Sequence, residues 1–249
     1  MKDIIYCDFS NIYKSVENGI RLDFSNLEGT NGYCSAEAMQ EIRKGIASLS
    51  YDGVHVLDNG NYHYMSLFWI EKIRQPFDLI VFDNHTDMQR SSLIPTLSCG
   101  DWILEALEDE NIPLNKLWLI GSPQSAFDET DGRYANRIEF VSREHMEDLC
   151  IGDSCDDGIC QLIDKISDST LPVYISVDKD VFSGDEIATN WDNGIMSLIT
   201  LEKMIDFLSK KREVIGLDLC GEPDINKKGF SREFEKSRKI DERLINALE

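Results

Sequence analysis

No stretch of this 249-residue chain approaches the roughly 20 consecutive apolar residues of a membrane helix, which excludes a helical membrane span. The opening residues, Met1-Lys2-Asp3 before the strand-like run Ile4-Ile5-Tyr6-Cys7, lack an apolar targeting segment with a small-residue cleavage site. A cytoplasmic location is therefore expected. Basic residues are scarce: 25 Lys and Arg stand against 46 Asp and Glu, a formal charge of -21. Such a chain lacks the basic footprint that phosphate backbones require, so neither nucleic acid nor a membrane is expected as a partner. An acidic surface keeps a protein soluble, and it is also compatible with a cationic substrate. Repeats, low-complexity tracts and Pro/Gly-rich linkers are missing too, which favours one domain spanning residues 1–249.

Cysteine is present but unpatterned. The seven cysteines are an odd number in a chain with no visible export signal, which favours reduced thiols over a disulfide framework. Cys150, Cys155 and Cys160 recur every five residues, which is not a zinc-knuckle spacing, and they read as buried or incidental thiols.

What is present is an alternation of short apolar runs and amphipathic segments. Strands are expected at Ile4–Phe9, Val54–Leu57, Leu79–Phe82, Leu117–Ile120, Ile138–Val141, Val173–Val177 and Val214–Leu217. Helices are expected at Ala36–Leu49, Tyr64–Ile73, Trp102–Glu108, Arg143–Leu149, Gly158–Ile166, Leu201–Lys210 and from about Arg232 to Leu248. Near-continuous Ile/Val runs fit strands buried on both faces, so the pattern reads as α/β with a mostly parallel central sheet. The polar stretch from about Ser122 to Asn136 reads as an insertion. Sheets of this kind bind ligands beyond the carboxyl ends of their strands.

Acidic and imidazole residues gather at those ends. Asp83-Asn84-His85-Thr86-Asp87 follows one strand, and Asp178-Lys179-Asp180 follows another. In extended chain, residues two apart share a face, so Asp83, His85 and Asp87 can converge, as can Asp178 and Asp180. The turn Asn59-Gly60-Asn61-Tyr62 can deliver His63 at a helix start. His55 and His145 read as core or surface residues instead. Aspartate is disfavoured in strands, and four carboxylates on one site repel one another unless cations lie among them. Asp83, Asp87, Asp178 and Asp180 supply four negative charges, which two divalent ions neutralise. An oxygen-rich site with two imidazoles suits manganese, with iron or cobalt possible. Two ions lower the pKa of a water held between them.

These blocks resemble the arginase/agmatinase (ureohydrolase) family. Gly60-Asn61-Tyr62-His63 matches its first metal-binding turn, Asp83, His85 and Asp87 its D-x-H-x-D block, and Ser176-Val177-Asp178-Lys179-Asp180 its S-x-D-x-D block. The resemblance spans about residues 50–225 and implies the three-layer αβα fold shared with histone deacetylases. It also implies hydrolysis of a guanidinium group to urea and an amine, with Asp87 the ligand expected also to pass a proton to the leaving nitrogen. A fourth block, Gly216 to Pro223, offers Glu222 as the acid that meets the guanidinium, one residue later than the family's usual spacing. Trp102 or Tyr62 is expected to line the entrance.

The departures matter as much. Free-arginine enzymes follow the D-x-H-x-D block with polar residues and a histidine that hold the amino-acid end of the substrate. Here the stretch reads Met88-Gln89-Arg90-Ser91-Ser92 and later Ser98-Cys99-Gly100-Asp101-Trp102, with no histidine between His85 and His145. That combination resembles the divergent branch that includes peptide arginases, which convert arginine side chains in peptides to ornithine. A small guanidine such as agmatine, an amide on a deacetylase-like site, and a non-catalytic metal-binding role are the alternatives.

Overall fold

The computed structural model describes residues 3–16, 18–90, 96–149 and 155–249. Cys150 of the cysteine trio, and Ser91 and Ser92 of the stretch after the D-x-H-x-D block, lie outside those residues. The strands are β1 (Ile4–Asp8), β2 (Ile20–Asp23), β3 (Val54–Val56), β4 (Phe77–Phe82), β5 (Leu114–Ile120), β6 (Ile138–Val141), β7 (Val173–Asp178) and β8 (Val214–Cys220). They form one sheet in the order β2-β1-β3-β8-β7-β4-β5-β6. Every pairing is parallel, so the sheet expected to be mostly parallel is entirely so.

The two faces of β4 show why its sequence reads as an unbroken apolar run. Leu79 and Val81 enter the core on one side of the sheet, while Ile80 and Phe82 enter the core on the other. Side chains alternate along a strand, so a strand covered on both faces is apolar at every position. Burying each such side chain stabilises the fold by about 1.5–3 kcal/mol. The first face is covered by α1 (Ala36–Ile46), α2 (Met65–Ile70) and α3 (Trp102–Glu108), through residues such as Ile42, Phe68 and Ile103. The second is covered by α5 (Arg143–Leu149), α6 (Cys155–Ile166), α7 (Leu198–Lys211) and α8 (Phe230–Asn246), through Met146, Ile163, Met204 and Leu244 among others. The result is the three-layer arrangement. No helix among the described residues is long and apolar enough to cross a membrane.

Two elements were not legible. Strand β2 is a four-residue edge strand, partly exposed, which offers no hydrophobic run to recognise. Between β5 and β6 the polar loop folds into α4 (Gln124–Asp128) and a 3₁₀ turn at Gly132–Arg137, neither of which buries a residue.

Strands β3, β8, β7 and β4 are neighbours at the centre of the sheet. Their carboxyl ends therefore bring the segments carrying His63, Glu222, Asp178 and Asp83 to one place, although these residues are scattered along the chain.

Candidate metal centre

His63 ends a 3₁₀ turn, Gly60–Tyr62, whose start is capped by the Asn59 side chain accepting from the Asn61 amide. Its Nε2 lies 2.9 Å from Ser176 Oγ, which in turn lies 3.1 Å from Ser66 Oγ. With Nε2 engaged there, Nδ1 is directed at Asp83 Oδ2 (3.1 Å), Asp87 Oδ2 (3.0 Å) and Asp178 Oδ2 (3.6 Å). A hydroxyl on one ring nitrogen fixes the orientation in which the other serves as a ligand. The serine of the S-x-D-x-D block thus acts on the histidine of another block.

Asp83 joins two groups of residues that could each hold a metal ion. His63, Asp83 and Asp87 form one, and Asp83, His85 and Asp180 form the other, the ligand atoms in each lying within 4.8 Å of one another. His85 Nδ1 stands 2.9 Å from Asp180 Oδ2 and 3.6 Å from Asp83 Oδ1. Asp178 stands beside the first group, close to His63.

The convergence is achieved by turns rather than by the extended chain that the two-residue spacing suggested. Asp87 is reached through a left-handed backbone, φ 46°, a conformation that aspartate tolerates better than most residues. Asp180 lies in a 3₁₀ turn, Lys179–Val181, in which Asp178 Oδ1 accepts from the Asp180 amide. Gly221, at φ 89°, packs so closely that a Cβ there would sit 2.4 Å from Asp178 Oδ1.

The electrostatics show a site short of positive charge. Burial pushes the Asp87 carboxyl up to about 6, helped by the charge on Asp83. Burial and then the neighbouring aspartates push Asp178 and Asp180 up as well. Asp83 is different. Burial opposes its charge, but contacts with His63 and His85 outweigh that and hold it well below the ordinary carboxylate range. His63 Nδ1 and Asp83 Oδ2 are buried with no hydrogen-bond partner, although they lie 3.1 Å apart. Buried polar atoms are seldom left so. Four carboxylates, two imidazoles and two orphaned ligand atoms aimed at each other fit a pair of divalent cations.

Residues 11–221 match the family model described as the Arginase family. The chain belongs to the arginase family. An uncharacterized protein of Thermotoga maritima is 29% identical over 248 residues, covering 97% of this chain and 87% of that protein. Among solved structures, arginase from Bacillus caldovelox superposes with a TM-score of 0.66 at 12% identity, covering 100% of this chain and 98% of that one. Formimidoylglutamase from Bacillus subtilis gives 0.66 at 14% identity, covering 85% and 67%. At these identities the solved structures establish the fold, and the family match makes the chain one of a family of hydrolases acting on amidino C–N bonds.

In this arginase-family chain a cavity of about 440 Å³ opens over the ligands. Its wall includes Asp83, His85, Asp87, Asp178 and Asp180, together with Gln89, Cys99, Arg143, Trp191 and Asn193. The structure corrects the expected substrate contacts. Glu222 is fully buried outside the cavity wall, where it accepts from Lys179 Nζ at 2.9 Å and Tyr13 Oη at 3.0 Å. A buried lysine has claimed the carboxylate that was expected to meet a guanidinium. Trp102 is also fully buried; it donates from Nε1 to Asp87 Oδ2 at 2.6 Å and so orients a ligand instead of lining the entrance. Tyr62 stacks on Phe9 with ring centroids 4.2 Å apart and is absent from this wall. The exposed aromatic here is Trp191, edge-on to His85 at 5.4 Å between centroids and donating to Asn61 Oδ1 at 2.9 Å. Gly60 makes room for it, since a Cβ there would stand 2.6 Å from the Trp191 ring. A lone tryptophan in the polar run Asn190-Trp191-Asp192-Asn193 was the available signal. His55, read as a core or surface residue, is buried against Trp69 and lies 2.8 Å from Asp218 Oδ1.

Proposed function

We propose that this protein is a binuclear manganese ureohydrolase that acts on arginine side chains within peptides, releasing urea and leaving ornithine. The observation that carries the reading is the sharing of Asp83 between two groups of ligands beneath one cavity. His63, Asp87 and Asp178 would complete one metal site, and His85 and Asp180 the other. Oxygen-rich ligands with one imidazole for each ion suit manganese, with iron or cobalt as substitutes. When bound, two such ions lower the pKa of a water held between them.

The chain's own residues supply the rest. Asp87 Oδ2 is held by Trp102 Nε1, while Oδ1 has no hydrogen-bond partner among the described residues. Asp87 is thus placed to take a proton from the attacking water and pass it to the leaving nitrogen. The C–O bond forms at the guanidinium carbon, the C–N bond to the side chain breaks, and that nitrogen departs as an amine. The net charge of -21 favours approach of a cation. A peptide substrate is favoured by what the wall carries in place of an amino-acid grip. The stretch after the D-x-H-x-D block contributes Gln89, Cys99 and Gly100, and no histidine.

The test is urea release by manganese-loaded protein on an arginine-containing peptide, free arginine and agmatine in parallel. Urea from the peptide, with ornithine found by mass, is the expected result. Urea only from a small guanidine replaces the peptide reading with a small-molecule one. Silence on all three, with two metals bound, overturns the ureohydrolase reading and directs the search to amides.

A further inference from the structure

Among the described residues one arginine and no lysine lines the cavity, and it is Arg143, at the start of α5. Its presence there is unexpected. A cavity that receives a guanidinium gains nothing from a second guanidinium on its wall, because like charges in a confined site repel. Nor is it held by a carboxylate, although several other arginines of this acid-rich chain are. Arg21, Arg43, Arg90, Arg133, Arg212 and Arg243 each form an ion pair.

Arg143 forms no ion pair among the described residues. Among the described residues its side chain makes one hydrogen bond, from Nη1 to Asn84 Oδ1 at 3.4 Å, the outer limit for such a contact. Asp192, the remaining carboxylate on the wall beyond the ligand aspartates, is not paired with it either. Asn84 ties Arg143 to the centre, for its backbone amide donates to Asp180 Oδ1 at 3.1 Å. The guanidinium therefore stands one residue away from Asp180, with most of its five N–H donors meeting no acceptor among the described residues.

We propose that Arg143 is a specificity-determining residue that binds a carboxylate of the substrate, so that the preferred guanidinium has an acidic group beside it. This rests on the ureohydrolase reading above and narrows its substrate class. In a peptide the acid is an Asp or Glu flanking the arginine; in a small molecule it is the far end of a guanidino acid. The fork of a guanidinium matches a carboxylate in two parallel hydrogen bonds. The same charge works against dications such as agmatine.

The experiment compares matched pairs on the manganese-loaded chain. One pair is a peptide with Asp or Asn flanking the arginine on either side; the other is 4-guanidinobutanoate and its amide. Wild type is expected to favour the acidic member by about 10- to 100-fold in kcat/KM, chiefly through KM, the range for a hydrogen bond to a charged group. In Arg143→Met that ratio falls to near one, and Arg143→Lys restores part of it. Whichever pair shows the larger ratio identifies the source of the carboxylate. A wild-type ratio near one overturns the proposal while leaving the ureohydrolase reading intact. So does an Arg143→Met variant that slows acid and neutral members alike, since that is the mark of a residue that only holds Asn84. If no substrate yields urea the ureohydrolase reading fails, and calorimetry decides Arg143 separately. Tighter binding of the butanoate than of its amide, lost in Arg143→Met, supports the assignment, and equal binding refutes it.

Discussion

Residues 178 to 180 divide between two acidic clusters that solve the same electrostatic problem in opposite ways. Asp178 and Asp180 join Asp83, Asp87, His63 and His85 at the cavity, where carboxylates outnumber the groups that could neutralise them. Lys179, between them, turns to the other side and is fully buried with Glu222, Asp241 and Ser237. Its Nζ lies 2.9 Å from Glu222 Oε1 and 2.8 Å from Asp241 Oδ1. Burial opposes the lysine's charge, but Asp241 and Glu222 outweigh it and raise its pKa. One cluster carries its cation in the sequence, as Lys179. The other has more carboxylates than its own imidazoles can balance, an arrangement that fits cations taken from solution. The comparison separates acids that hold the fold from acids that hold a ligand, and residue type alone does not distinguish them.

The largest effect should come from breaking the open cluster at its shared member. Asp83→Ala removes the carboxylate common to both ligand groups, so urea release should fall by on the order of 10³-fold or more. Metal content measured by atomic emission should fall with it, while the Lys179 cluster keeps the chain folded. Full activity in protein shown to be free of metal would falsify the two-metal reading.

Breaking the closed cluster should injure stability instead. Lys179→Met leaves Glu222 and Asp241 buried without their cation, a loss of about 3–5 kcal/mol. For a chain of this size that lowers the melting temperature by roughly 10 °C. The double variant Lys179→Met/Glu222→Gln should recover part of the loss, because one stranded charge is gone. Denaturant midpoints that do not move in either variant would remove the contrast between the clusters.

The two clusters also differ in how much the sequence discloses. The strands and covering helices were legible because buried parallel strands need apolar residues at every position and helices need them at one face; Trp102–Glu108 and Ile138–Val141 fall where the pattern puts them. His63, Asp83, His85, Asp87, Asp178 and Asp180 were legible as one cluster because they follow strands whose carboxyl ends a parallel sheet brings together. Lys179 and Asp241 were not, since they lie 62 positions apart and only the packing of α8 under β7 brings them together. Glu222 was misassigned for that reason. A strand-end carboxylate reads the same whether it faces a cavity or a buried lysine. Trp102 was credited with the entrance because sequence cannot tell an indole that touches substrate from one that holds Asp87.

That last distinction gives a milder test on the open side. Trp102→Phe keeps most of the ring packing and deletes the donor to Asp87 Oδ2. Removing a partner that orients a metal ligand typically costs about 10- to 100-fold in metal affinity or activity, and that range is expected here. The manganese dependence of urea release should shift to higher concentration, with circular dichroism unchanged. A variant with the wild-type manganese requirement and rate would mean that the 2.6 Å contact does not position Asp87.

The smallest effect lies in the pH response of the closed cluster. One lysine faces two carboxylates, Glu222 and Asp241, and Tyr13 and Ser237 add only neutral groups. Burial pushes Asp241 up to about 7, Glu222 adding to the rise and Lys179 opposing it, so the folded chain keeps this proton where the unfolded chain has lost it. The folded state binds the proton more tightly, and stability from this group is therefore full below its ordinary value of 3.8 and declines as pH rises from there to about 7. Asp241→Asn fixes the uncharged form and removes that decline. Metal-free protein unfolded in urea at pH 5 and at pH 8 should lose less stability between the two in the variant than in wild type. Asp58, also pushed up to about 7 by burial, contributes the same slope to both proteins and cancels in the comparison. Equal slopes would mean that Lys179 keeps both of its partners ionised, and that the closed cluster carries one negative charge more than its own cation balances.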